Sequence, residues 1–261
     1  MMYDPVFDAV PNIQGGFFGR TGGVSQGAYA GLNCDPRTHG HEQDNLPYVN
    51  ENLDIACRTI GSAADSLIMV DQVHGAECLI AGIEDLARRD SAMMIGKADA
   101  LVTTQRGVTL GILTADCVPV LLLGARENSQ PVIGALHAGW RGAFDGIVRS
   151  TITAMKAAPH TIKAAIGPSI QQSSYEVSAE FQERFLRRDK SFAVFFTAVN
   201  GKILFDLPAF VKKELQEQNV DDIEMSAHDT YSAPDRFFSH RFATHHDNGI
   251  TGRQISLISL K

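Results

Sequence analysis

No apolar run in this chain approaches the ~20 residues needed to cross a membrane. Its four cysteines, Cys34, Cys57, Cys78 and Cys117, have no paired spacing. That argues against a disulfide framework and for a reducing compartment. Met1 to Asn12 contains Asp4 and Asp8 and lacks a basic region followed by an apolar stretch, so no signal peptide is expected. These absences lead us to expect a cytoplasmic protein. Positive charge is also scarce, with 23 Lys and Arg against 30 Asp and Glu and a formal charge of −7. An extended nucleic-acid surface recruits clusters of Lys and Arg, and no basic stripe is present. The densest basic spots, Arg88-Arg89, Arg187-Arg188 and Lys212-Lys213, read as solvated helix faces. A small anionic or neutral substrate remains compatible with this charge. No repeat, low-complexity tract or long linker divides the 261 residues, which are read as a single domain, 1–261.

Gly15 to Arg20 leads into a Gly-rich loop, Thr21 to Gly27, which follows neither the P-loop nor the dinucleotide pattern and reads as a flexible turn. Pro47 opens an expected helix with Val49, Leu53, Ala56 and Ile60 at helical spacing. From residue 66 onward, short apolar runs bounded by turns predict strands at 67–70, 78–81, 100–103, 109–113, 120–123 and 132–136. Continuous apolar runs suit strands buried on both faces, which need covering layers. Phe144, Ile147, Val148, Ile152 and Met155 would supply one cover as a helix starting near Arg141. Phe181 with Phe185, and Leu207, Phe210, Val211 and Leu215, mark two more amphipathic helices.

Against this frame three side chains stand out. His74 lies in Asp71-Gln72-Val73-His74-Gly75, Cys117 in Thr114-Ala115-Asp116-Cys117-Val118-Pro119, and His137 in His137-Ala138-Gly139-Trp140-Arg141-Gly142. Each ends a short apolar segment beside small residues, and glycine lets backbone come close to a ligand. Two imidazoles and a thiolate suit zinc, and three ligands leave the fourth tetrahedral position open for chemistry. Taken singly, a free Cys is more often a small buried hydrophobe, and a His at a strand end more often a hydrogen-bonded structural residue. Cys117 is placed just past a strand, with Pro119 limiting continuation. His137 is placed at a strand end before a helix start, where α/β proteins build sites and an anion is favoured.

The chain resembles the YfiH family, described as laccase-domain or polyphenol oxidase proteins and as purine nucleoside phosphorylases with a catalytic zinc. The resemblance is carried by Gln72-Val73-His74-Gly75, Ala98-Asp99-Ala100-Leu101-Val102, the segments around Cys117 and His137, Ile166-Gly167-Pro168-Ser169, Tyr175-Glu176-Val177 and Thr251-Gly252-Arg253. It implies that His74, Cys117 and His137 are zinc ligands. It also implies an α+β fold with a layered α/β/β/α arrangement, two mixed sheets stacked face to face with helices outside, related to bacterial toxin deamidases. The activities implied are phosphorolysis of adenosine, inosine, guanosine and methylthioadenosine, and hydrolytic deamination of adenosine. Relatives often carry Cys after the Gly-Pro pair. Here Ser169, Gln171, Gln172, Ser173 and Ser174 stand there, and His228 to Ser232 replaces a later stretch that is often cysteine-bearing. Both changes remove soft ligands that an additional copper site would use.

Three enzymatic readings follow, and a non-catalytic binding module explains none of the motifs. In the first, the cofactor is zinc, which lowers the pKa of water to about 7 and suits attack at purine C6. The partners are then a small-molecule nucleoside and phosphate. Asp116 serves as a proton shuttle or ligand-orienting group, or else as a turn-stabilising carboxylate. Arg141 is a phosphate contact or a surface salt-bridge residue, with Arg20 and Arg241 behind it. The second is a copper-dependent polyphenol oxidase, since copper(II) outcompetes zinc at most N/S sites in vitro. The extra close imidazoles for it are His39/His41 and His245/His246, in polar loop-like sequence and read as surface residues. The third is a metal-free cysteine hydrolase with Cys117 as nucleophile and His137 as base, which leaves His74 unexplained.

Overall fold

The computed structural model describes residues 3–37, 43–89 and 93–261. One sheet runs in the order β1 (Tyr3–Val6), β2 (Ile13–Phe18), β15 (Gln254–Leu260), β7 (Val108–Thr114), β3 (Leu67–Asp71), β5 (Met94–Lys97). A second runs β14 (Asp222–Met225), β10 (Lys163–Ile166), β8 (Val118–Ala125), β9 (Pro131–Ala138), β6 (Ala100–Thr103), β4 (Cys78–Ile80). Both mix parallel and antiparallel pairs: β3 is parallel to β7, and β4 to β6, while β7 with β15 and β8 with β9 are antiparallel. A small third sheet joins β11 (Glu176–Val177), β13 (Lys202–Phe205) and β12 (Phe196–Val199).

Alternation along the strands builds the layers, because successive side chains face opposite sides. In β8, Leu121 and Leu123 meet Ile133, Ile112 and Ile258 between the two large sheets. Val120 and Leu122 face the other way, toward α2 (Trp140–Asp145), α3 (Ile147–Met155), α4 (Ala179–Arg188) and α5 (Leu207–Glu217). In β15, Ile255 and Leu257 face α1 (Leu46–Thr59), which presents Val49, Leu53, Ala56 and Cys57. The expected α+β fold of stacked mixed sheets with outer helices is the one observed.

Several local expectations need correction. Gly15 to Phe18, for which the sequence predicts no strand, is part of β2, paired with β15. A Cβ on Gly15 would lie 2.6 Å from the Leu257 carbonyl, so glycine there serves close strand approach. The helix expected from Arg141 to Met155 breaks at Gly146, whose left-handed φ of 99° ends α2 and starts α3. Pro119 lies inside β8 rather than stopping a strand, and pairs with His137. Its carbonyl accepts from Gly167 N just past the end of β10, where a missing N–H costs nothing. The run at 78–81 forms an edge strand, with Ile80 61% exposed, instead of a doubly covered one. Arg89 donates to the carbonyls of Asp65 and Leu67, and so fastens a connection instead of lining a solvated face.

Candidate metal centre

The site lies at one end of the two stacked sheets. β3 ends at Asp71 and turns through Gln72 to Gly75. Gln72 prolongs the β3–β7 pairing through its side chain, donating to Leu113 O (2.7 Å) and accepting from Leu113 N (2.9 Å). His74 then adopts a left-handed φ of 60°, which costs a non-glycine residue of order 1–3 kcal/mol. The buried Asp99 carboxylate offsets that cost by accepting from Val73 N (3.2 Å), His74 N (3.0 Å) and Gly75 N (2.6 Å).

Cys117 sits where the chain crosses from one large sheet to the other, between the end of β7 and the start of β8. Asp116 beside it has φ 89°. Its two carboxylate oxygens accept from Thr230 Oγ1 (2.7 Å) and Arg241 N (2.6 Å), tying the crossing to the first turn of α6 (His240–His246). The carboxylate therefore anchors the turn that precedes Cys117.

His137, opposite Pro119 near the end of β9, is buried. Its Nδ1 lies 2.7 Å from Asp99 Oδ1. A ring N–H donated to a carboxylate fixes the tautomer and turns the other nitrogen, Nε2, outward as a ligand. The ligand atoms of His74, Cys117 and His137 all lie within 4.8 Å of one another, and the two rings meet edge to face with centroids 4.8 Å apart. Binding of an ion by all three would bring them closer still, and the exposed His74 has the room to move. Gly139, the N-cap of α2, closes the cradle: a Cβ there would lie 2.8 Å from His74 Cδ2 and 3.1 Å from Cys117 Sγ.

The electrostatics of the metal-free site are those of an ion pair. Burial pushes the Cys117 thiol up, but the His137 charge and hydrogen bonds from both imidazoles outweigh it and bring the pKa down to about 6. Burial pulls His137 down, yet the Cys117 charge and the Asp99 hydrogen bond raise it to about 9. Asp99 is pushed up by burial and, more strongly, down by His137 and the turn N–H groups. A thiolate and two imidazoles, one pre-oriented by a carboxylate, form a donor set that fits a metal ion.

Other expected residues fall differently. Arg141 is exposed on α2 with its guanidinium 5.1 Å from the Trp140 ring centroid. Arg20 is spent on the carbonyls of Pro234 and Ala30. His245 and His246 lie in the last turn of α6, not in a loop, and are exposed as expected. His39 and His41 lie outside the described residues. Among the described residues, the His74–Cys117–His137 set is the one group of three or more His, Cys, Asp or Glu placed to hold a metal. Asp99 has no role in the sequence reading beyond its place in a motif. Its signal was a lone acid set between alanines before a fully apolar strand, a position that is buried only if the charge is partnered.

A family model described as multi-copper polyphenol oxidoreductase laccase matches residues 14–261. A Deinococcus radiodurans protein named purine nucleoside phosphorylase is 35% identical over 255 residues, covering 97% of this chain and 90% of the relative. Purine nucleoside phosphorylase YfiH of Escherichia coli is 31% identical over 241 residues, covering 92% and 91%. The crystal structure of Neisseria meningitidis protein NMB0706 superposes with a TM-score of 0.82 at 31% identity, covering 99% of both chains. Bacillus licheniformis YfiH gives 0.81 at 27% identity, covering 95% of this chain and 93% of that one.

Proposed function

The chain belongs to the YfiH family of laccase-domain proteins, and from that membership we propose a zinc-dependent purine nucleoside phosphorylase. Its substrates are adenosine, inosine, guanosine and methylthioadenosine, and it also deaminates adenosine. The observation that carries this reading is the convergence of His74, Cys117 and His137 within 4.8 Å, with His137 held by Asp99 and His74 open to solvent. An open three-ligand set is the arrangement of catalytic rather than structural zinc. The names of the relatives supply the reaction class.

His74, Cys117 and His137 would hold the ion, and when bound it would act as a Lewis acid that also lowers the pKa of water. In phosphorolysis a phosphate oxygen bonds to C1′ of the sugar while the C1′–N9 bond breaks and its electron pair leaves with the purine, which takes up a proton. In deamination water adds at C6 and ammonia leaves. The chain's own part is positional. Asp99 keeps the His137 proton on Nδ1, and Asp116 holds the Cys117 crossing against α6. Arg141, exposed on α2 two residues beyond Gly139, would be a phosphate contact in this reading.

Copper chemistry of the laccase type needs several coppers held mostly by histidines, and the described residues gather one ligand group. A metal-free cysteine hydrolase has a specific observation in its favour: Cys117, His137 and Asp99 lie in line as thiolate, imidazolium and buried carboxylate. The deciding experiment measures metal content of protein purified without added metal, with a nucleoside-plus-phosphate product assay on wild type and His74→Ala. Loss of both zinc and turnover in His74→Ala supports the phosphorylase. Full turnover by that variant after chelation rejects it in favour of the hydrolase.

A further inference from the structure

Two arginines, Arg241 and Arg253, flank the Asp116–Cys117 crossing without an ion pair to any described carboxylate. Arg253 immediately precedes β15, and the pairing of Gln254 with Thr114 sets it alongside Ala115, where the crossing begins. Its backbone is fixed on both sides: Arg253 N donates to Asn33 Oδ1 (2.9 Å) and its carbonyl accepts from Cys34 N (3.0 Å). Of its guanidinium, Nη1 alone is used, on the carbonyls of Thr251 (3.1 Å) and Gly252 (2.9 Å). The Nε–Nη2 edge, which suits two oxygens of one oxyanion, has no partner among the described residues. Arg241 approaches from the other side. Its backbone N is bonded to Asp116, its Nη1 donates to Glu176 O (3.0 Å), and its guanidinium carbon lies 5.2 Å from the Tyr175 ring centroid. It too keeps its Nε–Nη2 edge.

Arg37 provides the contrast. It is clamped by both oxygens of Asp35 (2.8 and 3.0 Å) and lies 3.6 Å from Asp71. No described carboxylate lies within ion-pair distance of Arg241 or Arg253. In a chain of net charge −7, leaving two cations unpaired at one site is unusual, because a partly buried charge without a partner is costly. Burial pulls the pKa of Arg253 down and the nearby Arg37 charge adds to that, while the charges of Asp35, Cys117 and Asp116 oppose it. His240, at the start of α6, lies among the same groups and feels Arg253, Arg241, Asp116 and His74.

We propose that Arg253 and Arg241 form an oxyanion subsite beside the His74–Cys117–His137 centre and that its ligand is inorganic phosphate. This deepens the phosphorylase reading and rests on it for the identity of the anion. The two guanidinium edges hold phosphate next to the centre, so nucleophile and nucleoside are brought together by separate parts of one site.

The test is calorimetric binding of inorganic phosphate to the zinc-loaded protein without nucleoside, for wild type, Arg253→Met, Arg241→Met and Arg253→Lys. Hydrogen bonds to a charged group contribute ~1.5–3 kcal/mol, so each Met variant should bind phosphate at least about tenfold more weakly. Arg253→Lys, which keeps charge but not the fork, should fall between. In steady-state assays KM for phosphate should rise by about the same factor while KM for inosine holds within about twofold. Zinc content and thermal midpoint serve as the folding control. Phosphate affinity unchanged in both Met variants overturns the subsite, as does a parallel loss of zinc or of the fold. Arginine-dependent phosphate binding by a wild type that makes no ribose phosphate would leave the subsite standing and remove the phosphorylase reading. Phosphorolysis with arginine-independent phosphate affinity would do the reverse.

Discussion

Asp99 Oδ1 accepts from both His137 Nδ1 (2.7 Å) and His74 N (3.0 Å), so one carboxylate oxygen sets the orientation of two candidate ligands that lie 63 positions apart in the sequence. Its other oxygen takes Val73 N and Gly75 N. A group holding the Nδ1 side of one candidate ligand and the backbone of another would act on a bound metal without touching it.

Asp99→Asn should therefore weaken zinc. The amide keeps the shape but offers one acceptor oxygen to groups that now share two, and it does not favour the His137 N–H. Loss of such an outer partner costs about 10–100-fold in metal affinity. A competition titration with a chromophoric chelator reads this directly, and wild-type affinity in the variant would show that Asp99 is not a positioning residue.

Cys117 should be the reactive thiol of the chelator-treated protein. With its pKa near 6 it is mostly thiolate at pH 7, whereas burial pushes Cys57 and Cys78 up to about 12 and Cys34 well above the usual range. Iodoacetamide labelling followed by peptide mass mapping should show alkylation at Cys117 that rises with pH through a midpoint near 6 and is blocked by added zinc. Equal labelling of Cys78 at pH 7 would contradict it.

Zinc affinity should climb with pH in a manner set by the same pair. Metal displaces the His137 proton, whose pKa is about 9, while Cys117 is already ionised above about 6. One proton released per ion means about tenfold in affinity per pH unit between those values, steepening below 6 as the Cys117 proton is also displaced and flattening above 9. Proton release measured in two buffers of different ionisation enthalpy checks the count; affinity flat from pH 6 to 9 would contradict the ion pair.

Gly139→Ala should empty the centre without unfolding the protein. The backbone there, φ −69° and ψ 162°, accepts alanine, but its Cβ would stand 2.8 Å from the His74 ring. The exposed imidazole yields by swinging away, so zinc content should fall while the thermal midpoint moves by no more than a few degrees. Full zinc occupancy in the variant would mean that the cradle is looser than these distances require.

Sequence by itself determined what is local in this protein. The apolar runs at 67–70, 100–103, 109–113, 120–123 and 132–136 are strands, and the helical spacings near Leu53, Phe185 and Phe210 are helices, because side-chain periodicity is a property of neighbouring residues. The resemblance, read from short motifs, supplied the layered fold and the three candidate ligands. Tertiary structure decided what depends on pairing between distant segments. Gly15 to Phe18 has no strand-like period of its own and becomes β2 because β15 packs against it from the far end of the chain. Gly146 breaks a continuous helical pattern by a backbone angle that composition does not reveal. In sequence Asp99 and Arg253 are motif residues with no role of their own, and Arg241 stands only behind Arg141 as a phosphate contact. Sheet register and a cap bring them beside His137, Asp116 and Cys117, and a buried charge is explained only by the partners that folding places around it.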